Sequence, residues 1–160
     1  MTHLALLDTG ARADTEEQAR RRRGLMALTR SGQFKGVTPR LLPQLVHPAN
    51  LAGPVGAAVI AMAERVGREA FLRQQAAILG RPDSRPDLPG LGAGPGPGLG
   101  LPVLVAVGEA DALTPPALAA EIAAGIAGAR LQTIPGCGHL PPMEAPVLVT
   151  VLLRDWLAWG

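Results

Sequence analysis

The sequence predicts an α/β protein in which a few parallel strands with flanking helices are joined to a separate helical segment. Three observations carry that expectation. Val103-Leu104-Val105-Ala106-Val107 is an unbroken apolar run of the kind buried on both faces of a parallel sheet. A helical pattern and another short apolar run, Leu131 to Ile134, follow it through short connections, the strand-helix-strand order of parallel sheets. A third run, Leu4 to Leu7, lies on the far side of a long helical stretch.

Leu4 to Leu7 ends in Asp8-Thr9-Gly10, a strand with a turn signal behind it. Thr15-Glu16-Glu17-Gln18 has the pattern of a capping box, and the helix it opens is expected to run to about Thr29. Arg20 to Arg23 is the most basic spot in the chain. It reads as a solvated helix face, because no interleaved aromatic offers a base-stacking platform. From Thr38 to Gly80 the pattern is helical throughout. Pro39 suits a first turn, Pro54 to Val66 is one Ala-rich helix, and Arg68 to Leu79 is another. Arg81 to Leu101 reads as a loop, and its Gly90 to Gly100 core as a flexible linker. Beyond the central strand, Thr114-Pro115 is expected to cap a helix reaching about Ile126. Leu131 to Ile134 reads as a second buried strand. Met143 to Trp159 reads as one final helix, apolar on much of its surface through Leu148, Val151, Leu152 and Trp156.

Composition narrows the possible functions. Apolar residues make up 48% of the 160, but aromatics only 2%, so the core must rest on Leu, Val, Ile and Ala. A net charge of +2 argues against a dedicated nucleic-acid binder. The single cysteine, Cys137, excludes an intrachain disulfide and suits a reducing compartment. The first ten residues have no basic leader region. The longest uncharged stretches, Pro48 to Ala63 and Leu88 to Gly108, carry too much Gly and Pro for a membrane span. A soluble cytoplasmic protein without nucleic-acid or membrane partners is the expectation. The three histidines, His3, His47 and His139, lack the spacing of metal ligands, so neither metal nor organic cofactor is expected.

Chemistry concentrates in two turns. Gly108-Glu109-Ala110-Asp111 places a carboxylate just past the central strand, and Gly136-Cys137-Gly138-His139 places an imidazole just past the next one. In an open parallel sheet, functional groups gather at these carboxyl ends. An aspartate that fixes the tautomer of a histidine forms two thirds of a nucleophile-activating triad. The glycines beside His139 would let its turn bend sharply and approach its partners closely. The nucleophile is the missing third. The only serines are Ser31 and Ser84, neither in a Gly-x-Ser-x-Gly turn, and Cys137 is too constrained by its turn to reach the His139 ring.

With these residues the chain resembles the C-terminal part of the α/β-hydrolase fold, among its esterase and enol-lactonase-like members. Gly108-Glu109-Ala110-Asp111 is similar to the acid motif of that family. Gly138-His139-Leu140-Pro141-Pro142-Met143-Glu144-Ala145-Pro146 is similar to its base motif. The resemblance implies a partial α/β-hydrolase fold. Residues 1–14 would carry a core strand, 15–86 a helical cap, 87–101 a linker and 102–160 the C-terminal part of the core. It also implies that the nucleophile elbow and oxyanion-hole loop would precede Met1. Catalytic roles then fall to Asp111 and His139 alone.

The expected function is Ser-His-Asp hydrolysis of a carboxylic ester, enol lactone or related acyl substrate, with only the Asp and His present in this chain. The apolar cap residues Leu41, Leu45, Val59, Ile60 and Met62 suggest a modest hydrophobic substrate. The alternatives are a non-catalytic binding module, or a half-enzyme whose partner brings the serine. The strand Leu4–Leu7, apolar and with one edge expected to be open, invites self-association or such a partner.

Overall fold

The computed structural model of the chain describes residues 2–92 and 99–159. Three strands, β1 (Leu4–Leu7), β2 (Val103–Gly108) and β3 (Arg130–Ile134), form one parallel sheet in the order β1-β2-β3. Leu4 is paired with Val103, and Leu104 with Arg130. The helix α3 (Pro116–Gly125) crosses from β2 to β3.

The central strand is buried along its whole length, as its unbroken apolar run requires. Its side chains alternate between two cores. Val103, Val105 and Val107 pack with Ala119, Ile122 and Ile126 on the α3 side. Leu104 and Ala106 pack on the opposite side with Ile134, Cys137, Val149 and Trp156. A one-residue slip of register would exchange every contact between the two cores, so the pairing is strongly specified.

Beyond the strands, the helical segment consists of α1 (Glu16–Arg30), two short 3-10 turns at Leu42–Gln44 and Pro48–Asn50, and α2 (Pro54–Leu79). The capping box at Thr15 is present in full: its hydroxyl accepts from the Gln18 N–H while Gln18 reaches back to the Thr15 N–H. The expected division at Gly67 is present as a kink, where φ is +72° inside α2. Leu42, Val46 and Val59 form a third apolar cluster, which also takes in Leu140 and Met143 just past His139. The helical segment is thereby packed directly onto the turn that carries the histidine.

Four local expectations are corrected. The chain between Thr38 and Gly53 is 3-10 turns and loop rather than continuous helix, because Pro43 and Pro48 interrupt the backbone hydrogen bonds a longer helix needs. Arg85–Gly90 is a 3-10 turn within the expected loop, anchored by the buried Leu88; residues 93–98 of the expected linker lie outside the described residues. β3 is a sheet edge with only Ile134 buried, and Leu131 is 44% exposed. The last helical segment is two helices, α4 (Pro141–Glu144) and α5 (Pro146–Leu157). Ala145 leaves the helical region at φ −136°, ψ 59°, as a residue before proline tends to do. That break re-registers α5, so Val149 and Trp156 are buried while Leu148 and Val151 face outward. Among the described residues no helix is long and apolar enough to cross a membrane.

Candidate active site

The acid loop and the histidine turn are laced together by their own backbones. At the end of β2 the Glu109 N–H donates to the Ile134 carbonyl (3.0 Å) and the Ala110 N–H to the Cys137 carbonyl (2.9 Å). Two close approaches here require glycine, Gly108 against the histidine turn and Gly138 against the helical segment. A Cβ at Gly108 would overlap the Gly138 carbonyl oxygen, and a Cβ at Gly138 would stand 2.7 Å from the Val46 carbonyl carbon. Gly136, at φ +64°, makes the sharp bend between them.

Held this way, Asp111 and His139 meet. Asp111 Oδ2 lies 2.9 Å from His139 Nδ1. The same carboxylate is filled on its other lone pairs: Oδ1 accepts from the Leu113 N–H (2.8 Å) and the Thr114 N–H (2.9 Å), and Oδ2 from the Thr114 hydroxyl (2.7 Å). Thr114 therefore does not cap α3, whose N-cap residue is Pro115. Its Oγ1 is 3.3 Å from His139 Nδ1 as well, which completes a three-membered cluster. The Asp-x-x-Thr spacing was the one available signal, since a short polar side chain bonds locally to an aspartate's turn as readily as to a helix end.

The charges follow from these contacts. Burial alone would push the Asp111 carboxyl up, but its bonds from His139 and from the Thr114 N–H and hydroxyl outweigh that and hold it below the usual carboxylate value. Burial would depress His139, and the adjacent Asp111 carboxylate reverses that to raise the imidazole above its ordinary value. Asp111's contribution to stability is thus present above its unfolded pKa and lost as pH falls through the folded one. His139's contribution is present below its unfolded pKa and lost as pH rises through the folded one. Among the described residues nothing hydrogen-bonds His139 Nε2, and the ring lines an open cavity of about 670 Å³.

A second carboxylate braces the turn. Glu144 Oε1 accepts from the Gly138 N–H (2.8 Å) and the Leu140 N–H (3.3 Å), on either side of His139. Its Oε2 accepts from the His47 N–H (2.6 Å) and the Asn50 amide (3.0 Å) of the helical segment. The His139 N–H itself donates to the Leu45 carbonyl. His47 is otherwise a local cap, its Nδ1 accepting from the Ala49 N–H. Cys137 is buried, and its thiol is pushed up to about 11 by that burial.

Asp8 was read from the sequence only as a turn residue. It sits at the end of β1 on the cavity wall, at φ +45°, its Oδ1 accepting from the Gly108 N–H (2.9 Å). Burial raises its carboxyl from 3.8 to about 6 against the opposing pull of that N–H. A raised carboxylate favours the folded state below its unfolded pKa and loses that contribution as pH rises through the folded value. Asparagine would keep the acceptor, carry no charge to desolvate, and suit the positive φ. Asp8→Asn is therefore expected to raise the urea midpoint at pH 8, by on the order of 1 kcal/mol of stability, with the gain shrinking by pH 5. A lower midpoint at pH 8 would contradict this account of Asp8.

The remaining expectations are redistributed by the cavity. Leu45, Val59 and Ile60 pack into the apolar cluster behind the histidine turn, and none of the five apolar cap residues lines the cavity. Its wall is mixed, with Gln18, Gln44, Gln75, Arg21, Arg22 and Arg81 alongside the apolar Leu25, Ile78 and Leu113. Arg22 is thus not a solvated face residue: Nε donates to Asp14 (2.8 Å) and Nη1 to Gln75 (2.7 Å). Ser31 ends α1 and Ser84 lies at the start of the 3-10 turn near β2; neither lines the cavity. Among the described residues no group of His, Cys, Asp and Glu is arranged to hold a metal ion.

Comparison with known proteins bears on the fold that carries this geometry. A family model described as "Alpha/beta hydrolase family" matches residues 3–151. The structure is similar to a malate-bound thermophilic esterase from Thermogutta terrifontis, at 32% identity and TM-score 0.83, over 97% of this chain and 55% of that one. It is also similar to a hydrolase from Pseudomonas aeruginosa PA01 (27%, TM-score 0.79, 98% and 56%). An enol-lactonase from Burkholderia xenovorans LB400 gives 25% and TM-score 0.77, over 98% and 56%. The chain spans just over half the length of these solved structures. No curated protein matches it.

Proposed function

The chain belongs to the alpha/beta hydrolase family, and from that premise we propose that it supplies the acid and base of a Ser-His-Asp acyl hydrolase acting on a carboxylic ester, enol lactone or related substrate. The observation that carries this reading is the Asp111–His139 contact of 2.9 Å, with Nε2 of the cavity-lining ring left without a hydrogen-bond partner among the described residues. In this reading Asp111 accepts from Nδ1–H and thereby holds the tautomer whose Nε2 is a free base. Nε2 takes the proton of a serine as that serine attacks the acyl carbon, and returns it to the leaving oxygen. Asp111 stabilises the imidazolium in between. Thr114 fixes the carboxylate, and Glu144 fixes the turn.

The serine and the oxyanion donors would come from chain beyond these 160 residues, either continuous with it or in a partner. A specific observation favours that arrangement. Among the described residues β1 pairs only with β2, so its outer edge presents unpaired N–H and C=O groups to any strand that completes the sheet. The isolated chain is accordingly expected to self-associate or aggregate with rising concentration, as read by size-exclusion chromatography with light scattering. A monomer across the whole series would contradict it. The single free cysteine fits a reducing, cytoplasmic setting for such a protein.

Activity tests the reading directly. Alone, the chain should hydrolyse p-nitrophenyl acetate no faster than its His139→Ala variant, because acid and base without nucleophile and oxyanion hole have nothing to activate. Combined with the remaining part of the Thermogutta terrifontis esterase, it should gain turnover that His139→Ala abolishes. Equal turnover by the combined chain and its His139→Ala variant would sink the proposal.

A further inference from the structure

Asp8 lowers the stability of its own position. Burial opposes its charge, and its backbone sits at φ +45°, where a residue with a Cβ is strained. Asparagine would accept the same Gly108 N–H with no charge to desolvate. A strained backbone and an opposed charge held together on a cavity wall mark a group whose charge acts there. Its placement points to the target. β1, β2 and β3 lie side by side, and Asp8, Asp111 and His139 each stand shortly past the end of one of them. Gly108 separates Asp8 from the histidine turn. Its N–H donates to Asp8 Oδ1 (2.9 Å), while its Cα is packed too closely against the Gly138 carbonyl to admit a Cβ. Asp8 and the His139 ring line the same cavity. Among the described residues Asp8 has no ion pair, and its Oδ2 has no hydrogen-bond partner yet is not shut away from water.

We propose that Asp8 is a positioning residue for the base: across Gly108, its carboxylate stabilises the imidazolium formed when His139 Nε2 takes the serine proton. This rests on the hydrolase reading above and adds a second counter-charge to it. Asp111 touches the ring and fixes its tautomer, whereas Asp8 acts through space and only when ionised. The other polar and charged groups nearby are already engaged. Glu144 of α4 is filled by four N–H groups, and His47 caps its own turn. On the cavity wall Arg22 is held by Asp14, Arg21 contacts Glu17 at 3.7 Å, and Arg81 donates to the Arg12 carbonyl. The Cys137 thiol, pushed up to about 11 by burial, is neutral. For the imidazole, burial lowers the pKa and the Asp111 bond and charge raise it; the charges of Asp8 and Glu144 raise it further. Burial holds the Asp8 carboxyl at about 6 against the pull of the Gly108 N–H, so its charge is present at pH 8 and largely absent at pH 5.

The test reads the ring in the full chain, independently of turnover. The His139 ring is titrated by ¹⁵N and ¹H NMR in the wild type, Asp8→Asn and Asp87→Asn. The His139 midpoint is expected to fall in Asp8→Asn, with Nδ1 still the protonated nitrogen of the neutral ring. It should not move in Asp87→Asn, whose charge is exposed on the 3-10 turn at Arg85–Gly90. The wild-type ring shifts should also carry a second inflection as Asp8 ionises. A wild-type curve with a single inflection would overturn the proposal whether or not the variant folds, and so would an unchanged midpoint in Asp8→Asn. In an assembly that supplies the serine, Asp8→Asn should lower kcat about three- to tenfold at pH 8 and hardly at all at pH 5. An equal loss at both pH values would mark a purely structural role and overturn the proposal as well. A midpoint that falls in Asp8→Asn, in a chain that never yields His139-dependent turnover, would keep the charge pair and lose the hydrolase reading. His139-dependent turnover with a midpoint indifferent to Asp8 would do the reverse, so the two failures are distinguishable.

Discussion

Asp111→Asn is expected to slow acyl hydrolysis about 1,000- to 10,000-fold in an assembly that supplies the serine. An amide in place of the carboxylate offers His139 Nδ1 an N–H as readily as a carbonyl, so the ring no longer keeps the tautomer that leaves Nε2 free. The imidazolium formed during attack also loses its counter-charge 2.9 Å away. Part of the effect is local order, since the Leu113 and Thr114 N–H groups and the Thr114 hydroxyl all end on this carboxylate. Thr114→Val separates the two contributions. It removes the hydroxyl bond but keeps the charge, and should cost far less, about tenfold or below. The measurement is kcat with p-nitrophenyl butyrate; a loss below tenfold for Asp111→Asn would remove Asp111 from the mechanism.

Gly108→Ala carries the largest expected effect on stability. The added methyl would overlap the Gly138 carbonyl oxygen and stand 2.7 Å from the Cys137 carbonyl oxygen, both backbone atoms. Neither can withdraw without breaking the bonds that join the β2 loop to the histidine turn, Glu109 N–H to Ile134 and Ala110 N–H to Cys137. The site lies at the end of the fully buried strand, so the clash has no solvent side to relax into. A loss of more than about 4 kcal/mol is expected, enough to leave much of the chain unfolded. Gly24→Ala is the contrast. It lies inside α1 with nothing within 4 Å of the new methyl, and should stabilise by about 0.5–1 kcal/mol. Urea unfolding of both variants checks the pair.

The parts of this fold that were legible in the sequence are those set by neighbours along the chain. The apolar run of β2, the capping box at Thr15 and the division of α2 at Gly67 each depend on a few adjacent residues. The exposure of β3 was not legible, because Leu131 looks the same in sequence whether or not a further strand or helix covers it. The break at Ala145 was signalled by Pro146 but outweighed by the apolar periodicity on either side. At the site, the two glycine-marked turns pointed to Asp111 and His139, and the structure brings those side chains together. Thr114 and Asp8 escaped notice for different reasons. Thr114 also fits a helix start, whereas Asp8 matters only through a contact with chain 100 residues away. Of the apolar residues expected to describe a substrate pocket, Leu45, Val59 and Ile60 belong instead to the cluster with Leu140 and Met143, since a cap must bury one face on the core before it can offer another to a ligand.

The account turns on Asp111 holding His139 as a base whose Nε2 is free. A ¹⁵N and ¹H NMR titration of the His139 ring in the wild-type chain tests this most directly. The predicted result is a neutral form protonated on Nδ1, with a pKa above the ordinary histidine value of about 6.5 that falls in Asp111→Asn. A neutral form protonated on Nε2, or a pKa at or below 6.5 that the Asp111 substitution does not change, would contradict it.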